Sequence, residues 1–412
     1  MPPLAVVFRR LFLITLLVLP QIYWLGKAWR FGGRRAWVLR WLTRFFVIAA
    51  TSAIAAVLYD RIFAKVLTDA ISHQLAPLVQ LWIFSSTFAF FLTKALHALV
   101  WCWSRLTSLV SKASQLPVHD TSRRKLLRQT ASIFGGAPFA FSIYGYAHER
   151  LRFVVEPVDV SIAGLPAALD GLRIVQLSDI HAGDFMPVQE IRRAVSMANE
   201  LQSHLSVITG DFVTSWGDPL SECIHELSLL RAPLGIFGCN GNHEIYAGAE
   251  DEAEALFKAN GMRLLRHMAT QIAWNGSSLN LIGIDYQHKI PITGRTMPTL
   301  DGADCLVRAD MPNILLSHNP NTFPSAAAAG VELSLAGHTH GGQVNVEILH
   351  RSLNPARFVT QFIAGPYRMP LRNNRGQACL YVNRGLGTLG FPARIASRPE
   401  ITLLTLRSGS SN

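Results

Sequence analysis

The chain has 412 residues, enough for two domains, and half of its residues are hydrophobic while only 16% are charged. Its net charge of +11 lies entirely in residues 1–150, which hold 18 Lys/Arg and 4 Asp/Glu and therefore carry +14. Residues 151–412 hold 20 Lys/Arg and 23 Asp/Glu and carry −3. The mildly acidic C-terminal part excludes a basic binding surface there, so we expect no nucleic-acid partner.

Four apolar stretches in the first 150 residues have the length and composition of membrane helices. They run over Leu11–Leu25, Phe45–Tyr59, Pro77–Leu92 and, more weakly, Thr130–Ala147. Buried core helices are the alternative, but four such runs separated by basic loops fit poorly into a soluble core. A transporter is a further alternative, although few charges beyond Lys94 lie inside the stretches and no repeat is evident. We therefore predict that residues 1–150 are a transmembrane helical region of three to four spans.

The charged loops predict an orientation for these spans. Residues 27–44 and 104–129 each carry six basic residues, and such loops stay on the cytoplasmic side. A fourth span then places the C-terminal part on the periplasmic or extracellular side of the inner membrane, whereas three spans leave it in the cytoplasm. The basic segment Ser122–Arg128 resembles a twin-arginine export signal, but an ordinary basic stop before a helix explains it equally well. No small-x-small cleavage site follows it, so we expect a retained anchor.

From about Val154 the sequence alternates short apolar runs with polar clusters. The five runs and their clusters are Arg173–Leu177 with Ser178–His181, Leu205–Thr209 with Gly210–Asp211, Gly235–Cys239 with Asn240–Glu244, Asn313–Leu316 with Ser317–Pro320, and Leu333–Leu335 with Ala336–His340. A polar cluster after each strand is typical of an α/β sheet, in which sites form at the carboxyl ends of the strands. We therefore expect these five clusters to meet in space.

Helical periodicity appears between some of the strands, over Val188–Gln202 and Glu250–Lys258. Three further strands are predicted at Leu279–Ile284, Ala378–Val382 and Ile401–Leu406. Together these elements predict an α/β fold of two packed sheets flanked by helices.

The five clusters supply a mixture of carboxylate, amide and imidazole groups. The candidate ligands are Asp179, His181, Asp211, Asn242, His318, His338 and His340, with His243 beside them. This mixture suits Mn, Zn or Fe better than Mg or Ca, which prefer oxygen alone. Seven ligands are too many for one ion and about right for two divalent or trivalent ions that share a carboxylate. Such centres catalyse in-line displacement at phosphorus.

The series Asp-x-His, Gly-Asp, Gly-Asn-His-Glu, His and Gly-His-Thr-His resembles the calcineurin-like metallophosphoesterase family over roughly residues 155–407. The segments Gly337–Gln343 and Asn383–Gly387 strengthen the likeness to its membrane-associated bacterial branch of YkuE- and YaeI-like phosphohydrolases. The resemblance implies a four-layer αββα sandwich for residues 151–412, preceded by an all-α transmembrane anchor. It also implies a hydrolase of phosphodiesters or phosphomonoesters.

The resemblance assigns a role to each candidate residue. The ligands that it implies for the first metal ion are Asp179, His181 and His340, and those for the second are Asn242, His318 and His338. Asp211 would bind both ions. His243 is similar to the family's catalytic histidine, which contacts the phosphoryl group and assists the leaving oxygen. A metal-bridging hydroxide is then the nucleophile, with no attack by a side chain.

Several alternatives stay open at the level of sequence. A phosphatase-like, membrane-tethered binding or sensing module is the second functional hypothesis, although no ligand of the set is missing. Asp285, Tyr246 and Arg384 are further candidates for lining the site. The five cysteines form no CxxC pair and are interpreted as scattered thiols, with a disulfide among the last four as the alternative in an exported domain. The sequence does not specify the substrate. Lipid headgroups, isoprenyl phosphates, nucleotides and wall polymers are candidates, and a lipid-linked substrate with a pyrophosphate group is preferred because proximity to the bilayer favours amphiphiles.

Overall fold

The computed structural model describes residues 4–33, 35–62, 69–114, 121–287, 300, 302–345, 354–358, 360–372 and 376–409. The chain forms two compact units, Met1–Tyr146 and Ala147–Asn412. No disulfide links the cysteines, all five of which are free thiols.

The N-terminal unit is helical. Its helices are α1 (Leu4–Gly33), α2 (Trp37–Ile62), α3 (Asp69–Ser114) and α4 (Thr121–Tyr144). Within the described part of the chain, two segments are long and apolar enough to cross a membrane, Trp37–Val57 in α2 and Leu75–Leu106 in α3. All four apolar stretches of the sequence therefore lie in helices, and the second and third overlap the two segments that are long and apolar enough to cross a membrane.

The first sheet of the C-terminal unit has six strands in the order β1-β12-β2-β3-β4-β5. The strands are β1 (Val154–Ala163), β2 (Arg173–Leu177), β3 (Leu205–Thr209), β4 (Ile236–Cys239), β5 (Arg263–Leu264) and β12 (Glu400–Gly409). The neighbouring pairs β2–β3, β3–β4 and β4–β5 are parallel. Polar tips that follow β2, β3 and β4 therefore lie along one edge of the sheet.

The second sheet also has six strands, in the order β10-β11-β9-β8-β7-β6. The strands are β6 (Met268–Trp274), β7 (Ser277–Ile284), β8 (Asn313–Ser317), β9 (Leu333–Ala336), β10 (Gly365–Pro370) and β11 (Gln377–Val382). The neighbouring pairs β7–β8, β8–β9 and β9–β11 are parallel. The tips that follow β8 and β9 therefore also share an edge.

The helices of the C-terminal unit connect the strands. They are α5 (Val188–Glu200), α6 (Leu220–Leu227), α7 (Asn242–Ala247), α8 (Glu250–Ala259) and α9 (Phe323–Ala329). The helices predicted from periodicity, Val188–Gln202 and Glu250–Lys258, correspond to α5 and α8 within two residues at each end.

Alternation along the strands builds three hydrophobic layers. Ile174 of β2 belongs to the core between the two sheets, which also contains Leu335 of β9, whereas the next residue, Val175, packs with the helices on the outer face. Helices α5, α6 and α8 cover that outer face of the first sheet. Helix α9 covers the outer face of the second sheet through Phe323 and Ala326. This helix–sheet–sheet–helix arrangement confirms the predicted αββα sandwich.

Candidate metal centre

The five polar clusters predicted from the sequence follow the carboxyl ends of β2, β3, β4, β8 and β9. The structure brings their side chains together in three overlapping groups, in each of which the ligand atoms lie within 4.8 Å of one another. The groups are Asp179, His181 and His340; His181, Asp211 and His243; and Asp211, His318 and His338. The site thus draws on both sheets, and Asp211 and His181 each belong to two groups.

Two buried carboxylates lie at the middle of this cluster. Asp211 Oδ2 is 3.1 Å from His318 Nε2 and 3.5 Å from His181 Nε2. Asp179 Oδ1 is 3.4 Å from His340 Nε2. Both carboxylates are shielded from solvent, so their negative charge needs a nearby cation to offset it.

Three of the imidazoles are held through Nδ1 and present Nε2 to the cluster. His318 Nδ1 lies 2.6 Å from the carbonyl oxygen of Thr209, and His243 Nδ1 lies 2.6 Å from that of Thr214. His181 Nδ1 lies 3.0 Å from Thr214 Oγ1. A carbonyl oxygen only accepts, so Nδ1 of His318 and His243 carries a proton, and Nε2 of each ring is directed towards the cluster. This is how metal-binding histidines are usually oriented.

Burial keeps most of these imidazoles neutral. It lowers the pKa of His181 to about 3, that of His338 to about 4 and that of His340 well below its ordinary value. A neutral imidazole is the form that binds a metal ion. In His318 burial also acts to lower the pKa, but the charges of Asp211 and Asp179 outweigh it and raise the pKa to about 10. Around the two carboxylates the electrostatic field therefore favours positive charge.

The backbone at the site is unusual. The residues Asp179, His181, Asp211, His338 and His340 all have positive φ, between 49° and 76°. This left-handed region is uncommon for residues other than glycine, and such strain is concentrated at functional sites. Glycine is required where the loops approach each other, because a Cβ on Gly241 would overlap Asp211 Oδ1 and one on Gly337 would overlap Asp179 Oδ2.

A metal ion fits the donor set of this cluster. Asn242 Oδ1 is buried and has no hydrogen-bond partner. An unsatisfied buried acceptor costs about 1–3 kcal/mol. Asn242 is a residue that the sequence predicts as a ligand, and the adjacent carboxylates and neutral imidazoles are the donors that Zn, Mn and Fe use. The residues present therefore match the requirements of a metal centre.

Glu244 supports the site but was not predicted from the sequence. Its carboxylate is fully buried and accepts backbone N–H bonds from Asp211 (2.9 Å), Phe212 (2.7 Å) and Gly241 (2.7 Å). Burial, and then the charge of Asp211, raise the pKa of Glu244 to about 7, against the lowering effect of these donors. Glu244 thereby links the loop after β3 to the loop after β4.

Arg394 is a second residue that the sequence did not indicate. Its guanidinium is fully buried and donates to the carbonyl oxygens of Gly387 and Ser397, while Nη2 lies 3.4 Å from His340 Nδ1. Nη2 also donates to the carbonyl oxygens of Arg384 and Gly385. Burial lowers its pKa to about 9. Arg394 therefore joins the Asn383–Gly387 segment to the His340 loop.

The three further candidates for lining the site differ in their surroundings. The Tyr246 ring lies 5.4 Å from the His243 ring. Asp285 accepts from Asn240 (3.0 Å) and from Arg266 (2.9 Å), so it supports the loop that carries Asn242. Arg384 pairs with Glu156 and Glu400 at the edge of the first sheet.

Two histidines outside the five polar clusters, His225 and His267, are exposed. His288 and His350 lie outside the described residues.

Residues 172–342 match the family model described as calcineurin-like phosphoesterase. The chain belongs to this family. It is 29% identical to the uncharacterized metallophosphoesterase YkuE of Bacillus subtilis, over 70% of this chain and 98% of that protein. It is 28% identical to the phosphodiesterase YaeI of Escherichia coli, over 69% of this chain and 99% of that protein. The predicted family and its YkuE/YaeI-like branch are thus confirmed.

A third relative comes from an animal. The chain is 29% identical to the transmembrane protein with metallophosphoesterase domain of Danio rerio, over 74% of this chain and 68% of that protein. Membership of the calcineurin-like phosphoesterase family makes the chain a hydrolase of phosphate esters. The transmembrane relative and the two apolar helix segments together indicate association with a membrane.

Proposed function

We propose that the chain is a membrane-anchored, two-metal phosphodiesterase. Asp179, His181 and His340 would hold one ion, and Asn242, His318 and His338 the other, with Asp211 between them. The observation that carries the proposal is the overlap of the ligand groups, because Asp211 belongs both to a group with His181 and to a group with His318 and His338. A carboxylate shared in this way is what a pair of ions requires.

The metal ions would supply Lewis acidity, lowering the pKa of water and offsetting charge on the phosphoryl oxygens. The protein's own contribution is to orient the ligands. Thr209 and Thr214 fix the rings of His318 and His181, and Glu244 fixes the Asp211 backbone. Such outer contacts typically change metal affinity or activity by about 10- to 100-fold when they are removed.

His243 is proposed as the catalytic residue. Its Nδ1–H is directed to the carbonyl oxygen of Thr214, which leaves Nε2 for the substrate. The backbone N–H of His243 donates to Asp211 Oδ1 at 2.9 Å, so the ring is held beside the shared carboxylate. A doubly protonated His243 would donate its Nε2 proton to the oxygen of the departing alcohol.

The substrate is proposed to be an ester with an apolar alcohol group, with a lipid-linked ester as the leading candidate. Tyr246, whose ring contacts His243, is 67% exposed, and Trp216 is 87% exposed two residues after Thr214. The buried side of the cluster is flanked by Tyr286, 5.4 Å from the His338 ring. Exposed aromatic rings at a site favour amphipathic ligands. The name of the Escherichia coli relative supports a diester.

We further propose that residues 1–150 anchor the protein in the inner membrane by three to four spans, and that a fourth span places the catalytic residues 151–412 on the periplasmic side. The basic segments 27–44 and 104–129 support this orientation. A periplasm-dependent alkaline phosphatase reporter fused after residue 412 should be active. An inactive phosphatase fusion, together with a fluorescent cytoplasmic reporter at the same position, would refute the four-span orientation.

Chelation tests the proposed chemistry. The purified full-length chain should lose hydrolysis of bis(p-nitrophenyl) phosphate after removal of its metals, and it should regain activity with Mn²⁺ or Zn²⁺. The metal content of the reactivated protein should approach two ions per chain. Full activity after complete removal of metal would contradict a metal-dependent mechanism, whereas saturation at one ion would contradict the two-metal proposal alone.

A further inference from the structure

The helical N-terminal unit contains a pocket of about 460 Å³ to which all four of its helices contribute. It is lined by Trp24, Lys27, Ala28, Phe31, Thr43, Trp82 and Phe139. Its volume lies in the range of small-molecule sites, about 300–1,000 Å³. No part of the phosphoesterase motif set falls in this unit, so the pocket needs a separate explanation.

Aromatic rings form the apolar wall of the pocket. The ring of Phe139 lies 5.4 Å from that of Trp24, edge to face, and 5.4 Å from that of Trp82. Helices α1 and α2 approach closely beside it, because a Cβ on Gly32 would overlap the side chain of Thr43. The helices are therefore closely packed beside the wall, and its apolar rings suit a hydrocarbon chain.

The lining also contributes hydrogen-bond donors from Lys27 and Trp82, and no carboxylate belongs to the lining among the residues that the structure describes. The ammonium of Lys27 lies 5.0 Å from the ring centre of Tyr23 and 5.2 Å from that of Trp24. Trp82 Nε1 is buried and has no hydrogen-bond partner. A buried N–H normally has an acceptor, so the pocket has donors that a ligand with oxygen atoms would satisfy.

The sequence positions of the lining residues give the pocket a polar and an apolar end. Lys27 follows the first apolar stretch by two residues, and Thr43 precedes the second by two, so both lie at the same end of the α1–α2 pair. Trp82 and Phe139 lie inside the third and fourth stretches. In a bilayer, the end of the pocket with Lys27 and Thr43 lies at headgroup depth, and Trp82 and Phe139 lie beside the lipid hydrocarbon.

We propose that this pocket binds one anionic phospholipid. The lipid phosphate pairs with Lys27, an ester carbonyl oxygen accepts from Trp82 Nε1, and an acyl chain packs against Phe139 and Trp24. Basic pockets between membrane helices at the cytoplasmic surface are known to select anionic headgroups. The inference rests on the proposed membrane anchor, but it does not depend on the catalytic activity.

Charge distinguishes this occupant from the alternatives. A zwitterionic lipid would bring a cationic group next to Lys27, and a second copy of this chain would bring the same excess of positive charge. An anionic headgroup at Lys27 is complementary, and one such contact corresponds to a preference of about fivefold.

Native mass spectrometry of the full-length chain, released from nanodiscs with equal amounts of phosphatidylglycerol and phosphatidylcholine, tests the proposal. The wild type should retain phosphatidylglycerol about fivefold over phosphatidylcholine. Lys27→Gln should abolish this preference, and Trp82→Phe should reduce lipid retention while it keeps the apolar wall. Arg30→Gln, a matched loss of charge at an exposed position one turn along α1, should leave the preference unchanged.

Equal retention of the two lipids by the wild type, or an equal effect of Lys27→Gln and Arg30→Gln, would overturn the proposed site. Carbonate extraction of the same variants separates this result from a failure of the anchor. Extraction of the wild type from membranes would overturn the anchor and the lipid site together. Circular dichroism and thermal unfolding of the full-length variants serve as the independent measure that they are folded.

Discussion

The carboxylate of Glu244 accepts a hydrogen bond from the backbone N–H of Asp211 at 2.9 Å, across 33 residues of sequence. Asp211 follows β3, Glu244 lies in α7 after the neighbouring parallel strand β4, and Asp211 has a positive φ of 56°. Glu244 therefore stabilises the strained backbone conformation in which the Asp211 side chain reaches both ligand groups.

Glu244→Gln should destabilise the C-terminal unit. An amide offers one accepting oxygen instead of two, so at least one of the N–H groups of Asp211, Phe212 and Gly241 loses its acceptor. A buried unsatisfied donor costs about 1–3 kcal/mol, which should lower Tm by roughly 2–12 °C for a unit of this size. Thermal unfolding of the full-length chain measures this shift. Glu252→Gln, at an exposed position in α8, is the control, and equal Tm values for the two variants would contradict the supporting role of Glu244.

Asn242→Ala should remove one metal ion. The buried Oδ1 of Asn242 has no hydrogen-bond partner, so its loss costs little except a ligand contact. Inductively coupled plasma mass spectrometry of the purified chain should give close to one ion in place of two. Asn260→Ala, at the end of α8, should retain both ions. Two tightly bound ions in Asn242→Ala would show that Asn242 is not a ligand.

His243→Gln should impair turnover without loss of metal. His243 is held beside Asp211 by its backbone N–H and is not needed in the proposed ligand sets, so the centre should stay intact. Loss of a general acid typically lowers kcat by about 10²- to 10⁴-fold. Steady-state kinetics with metal analysis measure both effects, and His225→Gln on the exposed side of α6 is the control. A parallel fall in metal content would instead identify His243 as a ligand.

Arg394→Met should weaken metal binding at the site of His340. The guanidinium supports the carbonyl groups around the Asn383–Gly387 segment and lies beside the His340 ring. Loss of such a contact typically lowers metal affinity or activity by about 10- to 100-fold. Metal titration of the chelated protein measures the change, with circular dichroism as the test of folding. Arg394→Lys should recover part of the affinity, and wild-type affinity in Arg394→Met would contradict this role.

The sequence predicts the central strands well for a physical reason. Strands β2 and β3 have the predicted bounds because each is a short, mainly apolar and almost fully buried run that ends at a polar cluster. Their polar tips converge because parallel strands share a carboxyl edge. The edge strands β6 and β10 were not predicted, since only one of the seven residues of β6 is buried and β10 contains Pro366 and Pro370.

In the candidate site, the residues that could be predicted stand in local motifs, whereas those that were missed act through contacts between distant parts of the chain. The seven proposed ligands stand in short motifs, so spacing along the chain is enough to group them. Glu244 and Arg394 act through backbone groups of distant loops, and no pattern in the sequence marks which carbonyl or N–H group a side chain will reach. Thr214 likewise contacts His181 and His243 only because the loop after β3 folds back over the site.

The most direct test of a metal-dependent phosphoesterase centred on the shared carboxylate is Asp211→Asn in the full-length chain. The substitution keeps the volume and removes the charge, so we expect hydrolysis of bis(p-nitrophenyl) phosphate to fall to background in the presence of saturating Mn²⁺ or Zn²⁺, with the fold retained. Turnover at the wild-type rate in Asp211→Asn would contradict the central claim.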